Sequence, residues 1–412
     1  MCDTIKYLTS FEKTPIHRVN EDAGFSGLGI SIDAGSSRTR THVWEIGKPT
    51  SGVAVGIDSG YEMVTKGEMD IIPSPSDTLY DNLEMVITCK DEDKSEPFNN
   101  EVRIVKGSLL DSVGGLSIKA SGVEGKGSQD ALYINTIANI GIRIYALANS
   151  VGKTPHVVKP QVTLALPHSD IDSTMKQDRV KARLAGTYTF ELPRMDYKVD
   201  IEINKETIEL MDEAEVSVGY WCFNTKTKPE KDEGIILLDA GGRSVDFALI
   251  MNGIINSKAS GTGEFGGQKF VERIGAVYSN ATGQDIPDIN RLYGALDTGL
   301  MRDGGAKIDI SEHIMNAKKE IAKNVQELLN KQLRNAGIGL RNISTILCNG
   351  RLMKETKTID GEVSVPSLAT FISSYVSTVS PNTKVGLIDD EYTLVKGLSL
   401  RRHVLNTRGQ KK

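Results

Sequence analysis

One pattern occurs twice and constrains the fold more than any other feature. Leu28 to Glu45 reads LGISIDAGSSRTRTHVWE, and Leu237 to Ile250 reads LLDAGGRSVDFALI. In each, an apolar run ends on an aspartate, turns on small residues and resumes with alternating apolar positions, the signature of a tight β-hairpin. A buried strand that stops on a carboxylate needs a reason, because an unpartnered charge is costly away from water. The turns suggest one: small residues let backbone N–H groups approach phosphate oxygens closely. A carboxylate beside phosphate is repulsive unless a cation lies between, so Asp33 and Asp239 are expected as indirect ligands of a hydrated Mg²⁺. One such hairpin alone would be an ordinary tight turn. Two of them, each opening an α/β stretch with Asp two residues before the turn glycine, favour a ligand-binding pair.

A chain of 412 residues exceeds a single ordinary core, so two large domains are expected. With 39% apolar and 25% charged residues the composition is that of a folded globular protein. No window reads as a run of about 18 to 20 uncharged apolar residues, and the first 28 residues lack the apolar stretch of a signal peptide, so a cytoplasmic protein without membrane contact is expected. The net charge of -5 argues against direct nucleic-acid binding, which needs clustered Lys and Arg. The basic end RRHVLNTRGQKK is too short to change that. Four scattered cysteines and six histidines without ligand spacing give neither a disulfide framework nor a zinc site.

Between the hairpins, residues 46–130 mix short β-like runs with polar loops. ALYINTIANIGIRIYALANSV then predicts a largely buried helix, PQVTLALP a buried strand, YKVDIEINKETIELM a strand pair and VSVGYWCF a short helix. After the second hairpin, Ile310 to Ala336 has the spacing of a long amphipathic helix stopped by Gly337. ISTILCNGR predicts a strand entering a glycine turn, and DDEYTLVKGLSLRRH a closing helix. Alternating strands and helices around two similar starts predict an α/β protein with an internal duplication of shape.

Two other glycine motifs compete. SVGKTP, Ser150 to Pro155, resembles the end of a phosphate loop, but the position of the loop's first glycine is Leu147 and Pro155 opposes the helix that should follow. GTGEFGG, Gly261 to Gly267, satisfies G-x-G-x-x-G, yet no strand ending in an acid follows its helix as a dinucleotide fold requires.

With these residues in hand, the chain resembles the actin-like ATPase superfamily, and within it the bacterial plasmid-segregation actins of the ParM type. SIDAGSSRTR resembles the family's first phosphate loop and LLDAGGRSVDFALI its second; SGTGEFGGQKFVERI is similar to the segment that borders the nucleotide. ISTILCNGRLM stands where the adenosine motif is expected, and DDEYTLVKGLSL resembles the closing helix. The resemblance implies an actin-like fold, two duplicated ribonuclease-H-like domains flanking a nucleotide cleft. It places an N-terminal extension at 1–27, domain I at 28–225 with a small-subdomain insert at about 49–129, domain II at 226–391 with an insert at about 271–340, and a closing helix and basic tail at 392–412.

The same resemblance implies ATP or GTP with Mg²⁺ as cofactors. Gly35, Ser36, Ser37 and Arg38 would form the first phosphate loop, Gly241, Gly242 and Arg243 the second, and Gly263, Glu264, Gly266 and Gly267 its border. Gly350 would meet the base, with Lys319 on the long helix as a further neighbour. Two departures are Arg243, where the family has Gly or Thr, and CNGR in place of a glycine run. The family positions the attacking water with a Gln or Glu before the helix that leads to the second loop. Glu213 and Glu215 both qualify, with Glu213 preferred because it stands nearer the strand IELM, one residue beyond it; either would also serve as a plain helix-start carboxylate.

Partners follow from the resemblance: a head-to-tail filament of the chain itself and a DNA-binding adaptor on a plasmid centromere. A small-molecule kinase of sugar type is the alternative on the same fold. It needs a catalytic base beside an acceptor pocket, and no distinctive acidic motif for one is visible. A chaperone ATPase needs a substrate-binding region after the core, where only about ten residues follow the closing helix.

Overall fold

The computed structural model describes residues 25, 27–35, 38–72, 79, 82–107, 109–110, 125–241, 244–285, 292, 294–303, 306–358 and 360–409. Contacts divide them into two compact units, the first reaching to Tyr220 and resuming at Tyr392, the second running from Trp221 to Glu391.

The strands of the first unit are β1 (Leu28–Ala34), β2 (Arg38–Glu45), β3 (Lys48–Asp58), β4 (Glu62–Met63), β5 (Glu84–Cys89), β6 (Val102–Val105), β7 (Val157–Val158), β8 (Gln161–Leu166), β9 (Gly186–Leu192), β10 (Tyr197–Ile203) and β11 (Ile208–Asp212). Its helices are α1 (Lys66–Asp70), α2 (Asp130–Val151), α3 (His168–Ile171), α4 (Thr174–Leu184) and α5 (Glu213–Thr225), which runs on into the second unit. One sheet has the order β11-β8-β1-β2-β3. β1, β2 and β3 form an antiparallel meander, and β8 and β11 add in parallel on the other side of β1. β1 is buried along its whole length, as a central strand covered on both faces must be.

A second sheet of this unit has the order β4-β6-β5-β9-β10-β7. It collects the short β-like runs before α2 together with the strands β9 and β10 that follow it. α2 packs on strands of both sheets, which explains why it is buried on every side and why its 18-residue apolar window is 94% buried. By length and composition alone that window passes for a membrane span, which the reading of the sequence did not anticipate; Arg143 within it donates to Val53 O at 2.8 Å. The run YKVDIEINKETIELM does yield two strands, but they do not pair. A short 3₁₀ turn, Lys205–Thr207, sends β10 into the second sheet and β11 to the edge of the first.

The second unit contains β12 (Gly234–Ala240), β13 (Val245–Met251), β14 (Ile254–Ile255), β15 (Gly261–Gly263), β16 (Leu300–Asp303), β17 (Ala306–Asp309), β18 (Ile343–Asn349), β19 (Thr356–Lys357), β20 (Val363–Val365) and β21 (Lys384–Leu387). Its helices are α6 (Gly267–Thr282), α7 (Ser311–Asn335) and α8 (Leu368–Val379). The main sheet has the order β14-β13-β12-β18-β21, with β15 also on β13. An antiparallel hairpin is again followed by two parallel strands on the far side of its first strand. The duplication is therefore one of topology: first strand in the centre, hairpin partner to one side, later strands to the other.

α7 buries Ile314, Ala317, Ile321, Val325 and Leu328 at helical spacing against the second core. The closing helix α9 (Thr393–Gly409) packs on β1, β2, β3 and β8 of the first unit. Ser399 sits at the centre of that contact. Its hydroxyl lies 2.9 Å from Ser31 Oγ and 2.7 Å from His42 Nδ1, and Trp44 Nε1 donates to Ser31 Oγ at 3.2 Å. All four side chains are buried, so a connected polar network fixes the helix register on the sheet.

Candidate functional site

Both aspartates stand at the carboxyl ends of central strands, where ligands of open α/β sheets bind. In the first unit Asp33 is 7% exposed, and Arg40 Nη1 donates to its Oδ2 at 3.1 Å. Gly35 opens the turn. A Cβ at this position would stand 2.7 Å from Arg38 O, so the close return of the chain excludes a side chain. Ser59 Oγ donates to Gly35 O at 2.5 Å and meets Thr39 Oγ1 at 2.9 Å, tying the turn to the residue that follows β3. Asn135 of α2 in turn donates to Ser59 O at 3.1 Å. Arg38 lies across Gly56 on the neighbouring strand, whereas Ser36 and Ser37 lie outside the described residues.

In the second unit three segments meet at the end of β12. Asn349, the register partner of Asp239 on β18, donates from Nδ2 to Asp239 Oδ1 at 3.3 Å. Gly350 follows with φ of +104°, and a Cβ there would lie 2.3 Å from Ala240 O. Gly267, the first residue of α6, donates its N–H to Gly241 O at 2.9 Å, which brings the helix start against the turn. Gly263 joins through β15, opposite Val245. Asp239, Gly241, Gly263, Gly266, Gly267 and Gly350 thus converge. Gly241 itself would meet nothing closer than Ser244 O at 3.6 Å if it carried a Cβ, so the fold does not demand glycine there. Gly242 and Arg243 lie outside the described residues.

The remaining candidates separate. The Glu264 side chain is 91% exposed beside Lys269. Lys319 is on the exposed face of α7, and Glu320 pairs with Arg273 at 2.9 Å. The buried lysine of that helix is Lys318, which donates to Lys354 O and Pro366 O at 2.8 and 3.2 Å; burial pulls its pKa down to about 8.

The two carboxylates at the start of α5 are also told apart. Register sets Asp33 level with Ala165 and Ala165 level with Met211, so Glu213 emerges at the same sheet edge, two strands or roughly 10 Å away. Lys126 Nζ meets Glu213 Oε1 at 2.6 Å, while Glu215 faces Arg401 of α9 at 3.4 Å. Directly before them, as the last residue of β11, stands Asp212, which the reading of the sequence missed. Its Oδ1 accepts from the N–H groups of Ala214 and Glu215 at 2.8 and 3.0 Å, and its Oδ2 lies 3.0 Å from His168 Nδ1. Asp212 is the N-cap of α5, and the spacing D-x-x-E of Asp212 and Glu215 was its signal.

Among the described residues no group of three or more His, Cys, Asp or Glu forms a metal cage. Single carboxylates beside phosphate-binding turns suit Mg²⁺, which keeps several waters and takes the rest of its shell from phosphates. Asp33 and Asp239, each taken within its own unit, are donors of this kind. Gly152 of SVGKTP is the left-handed C-cap of α2, so no phosphate loop begins there, and β15 pairs antiparallel with β13, so GTGEFGG does not open a βαβ dinucleotide unit.

A family model described as archaeal actin homologue MreB-like, C-terminal, matches residues 237–350, from within β12 to Gly350. No curated protein sequence matches the chain. Solved structures do. The actin-like protein Alp7A is 14% identical with a TM-score of 0.66, over 93% of this chain and 98% of that one. A ParM filament from Clostridium botulinum is 15% identical with a TM-score of 0.59, over 92% and 99%. ParM from Bacillus thuringiensis with AMPPNP is 13% identical with a TM-score of 0.58, again over 92% and 99%. Two units of one topology, each with an aspartate near the end of its first strand, and these likenesses along nearly the whole chain identify an actin-like fold.

Proposed function

We propose that this chain is a cytoplasmic, filament-forming actin-like protein that binds and hydrolyses ATP or GTP and moves plasmid DNA through a DNA-binding adaptor. The observation that carries the reading is the convergence at the end of β12, where the second turn, the start of α6 and the end of β18 meet around Asp239. The first unit supplies a counterpart in Asp33 and Gly35. Backbone N–H groups of the two turns would hold phosphate oxygens, Asp33 and Asp239 would hold the water shell of Mg²⁺, and Gly350 would border the base. Bound Mg²⁺ would offset charge on the phosphates. Glu213, at the sheet edge it shares with Asp33, would orient the attacking water.

The likeness to a ParM filament and to a ParM solved with AMPPNP supports self-assembly and nucleotide binding as the activities to test. A subunit that binds its own copy head to tail without closing a ring builds an open filament. Nucleotide that favours the assembling conformation would bias the equilibrium, and hydrolysis would remove the bias. With a net charge of -5, contact with DNA is assigned to the adaptor.

Light scattering of the purified chain with Mg²⁺ and ATP or GTP, read together with phosphate release, tests the proposal. Scattering should rise above a critical concentration. Flat scattering with both nucleotides, accompanied by turnover that depends on an added sugar, would replace it with the kinase reading.

A further inference from the structure

The geometry points to Lys126 as a positioning residue for Glu213, an inference that rests on reading Glu213 as the group that orients water. The two residues are 87 positions apart, and Lys126 Nζ donates to Glu213 Oε1 at 2.6 Å. Their side chains are 27% and 22% exposed, so the pair is partly shielded from solvent and stronger than an open surface pair.

Lys126 does not hang from a loose segment. It begins a 3₁₀ turn, Lys126–Ser128, that is held from three helices. Gly127 donates its N–H to Asp170 Oδ2 of α3 at 3.2 Å, Tyr133 of α2 donates its hydroxyl to Gly127 O at 2.6 Å, and Arg183 of α4 donates to Ser128 O at 3.0 Å. Glu213 is fixed from the other direction. Its backbone continues from Asp212, whose carboxylate is engaged by two α5 N–H groups and by His168. A carboxylate on a fixed helix start, with one oxygen held by an ammonium on a fixed turn, has little rotamer freedom left. Orientation of that kind is what a group handling a reacting water requires, because small misplacements cost large factors in rate. Glu215 faces a different cation, Arg401 at 3.4 Å.

The test uses the full chain with Lys126→Met, Lys126→Gln, Lys126→Arg, Glu213→Ala and the double variants Lys126→Met/Glu213→Ala and Lys126→Gln/Glu213→Ala. Phosphate release gives kcat and KM with MgATP, a fluorescent ATP analogue gives Kd, and circular dichroism checks folding. Lys126→Met should lower kcat roughly 10- to 100-fold with Kd within about twofold. Lys126→Arg should recover most of the rate. In the Glu213→Ala background Lys126→Met should cost nothing further, because the two act as a unit. If Glu213→Ala is slow while Lys126→Met turns over normally, or if Lys126→Met costs as much in the Glu213→Ala background as it does alone, Lys126 does not position this carboxylate. If Glu213→Ala turns over normally, the assignment of Glu213 itself fails and the inference falls with it. Should Lys126→Met fail to fold, Lys126→Gln, which also removes the ammonium, takes its place in the same cycle and is read in the same way.

Discussion

Arg40 and Asp33 face each other across the first hairpin as a register pair, with Nη1 3.1 Å from Oδ2. The carboxylate that ends β1 is therefore neutralised by the return strand of its own hairpin. Removing the guanidinium leaves a carboxylate that is 7% exposed without this partner, a loss on the order of 1 to 3 kcal/mol. Arg40→Gln should lower the urea midpoint of the nucleotide-free protein by that measure. Saturating Mg²⁺ and nucleotide should offset part of the loss by mass action. An unchanged midpoint would show that the pair contributes nothing to stability.

Gly350 makes a sharper case for a residue set by backbone geometry. With φ of +104° and a Cβ position 2.3 Å from Ala240 O, Gly350→Ala meets both an unfavourable conformation and a backbone clash. A loss above about 2 kcal/mol is expected in thermal or urea unfolding. Gly283→Ala provides the comparison: its φ is +71° and nothing lies within 4 Å, so only the conformational cost of about 1 kcal/mol should appear. Equal losses at the two positions would remove the clash at Ala240 as a factor.

How much of this was legible follows the range of the interactions. The hairpins could be read because alternation, the ending aspartate and the turn residues are local to Leu28–Glu45 and Leu237–Ile250. The long helix α7 was readable from periodicity for the same reason. The pairing of β10 and β11 was not, because a 3₁₀ turn of three residues decides which sheet each strand joins, and the partners lie far away in sequence. Asp212 was readable in principle from the D-x-x-E spacing. Lys126 was not, since no local pattern announces a contact 87 residues distant. Nor could the sequence show that Glu213 and Glu215 meet different cations, Lys126 and Arg401, which only the folded chain brings to them.

His42 gives the chain a pH dependence of predictable sign. Burial, reinforced by the charges of Arg143 and Lys396, lowers its pKa from the ordinary 6.5 to about 4. Between those values the unfolded chain binds more protons than the folded one, so stability is full above about pH 6.5 and is lost progressively as the pH falls toward 4. The full effect is on the order of 3 kcal/mol. Urea unfolding at pH 7 and pH 5 should show His42→Asn with the shallower slope, since an amide can still meet Ser399 without titrating. Equal slopes in the two proteins would mean that His42 does not set the dependence.

Asp212 joins stability to the chemistry proposed for its neighbour. Its Oδ1 caps α5 and its Oδ2 meets His168, so one side chain holds both the helix start and the turn of α3. Asp212→Ala removes the cap and should destabilise the protein by about 1 to 2 kcal/mol. Asp212→Asn keeps an amide oxygen for the two N–H groups and should lose clearly less. Because Glu213 is the next residue, a frayed first turn would also let its carboxylate move. Asp212→Ala is therefore expected to slow phosphate release at temperatures well below its unfolding transition, with Asp212→Asn intermediate and nucleotide affinity nearly unchanged in both. Stability lost without any loss of turnover in Asp212→Ala would separate the cap from the placement of Glu213, and its orientation would then rest on the contact with Lys126 rather than on the helix start.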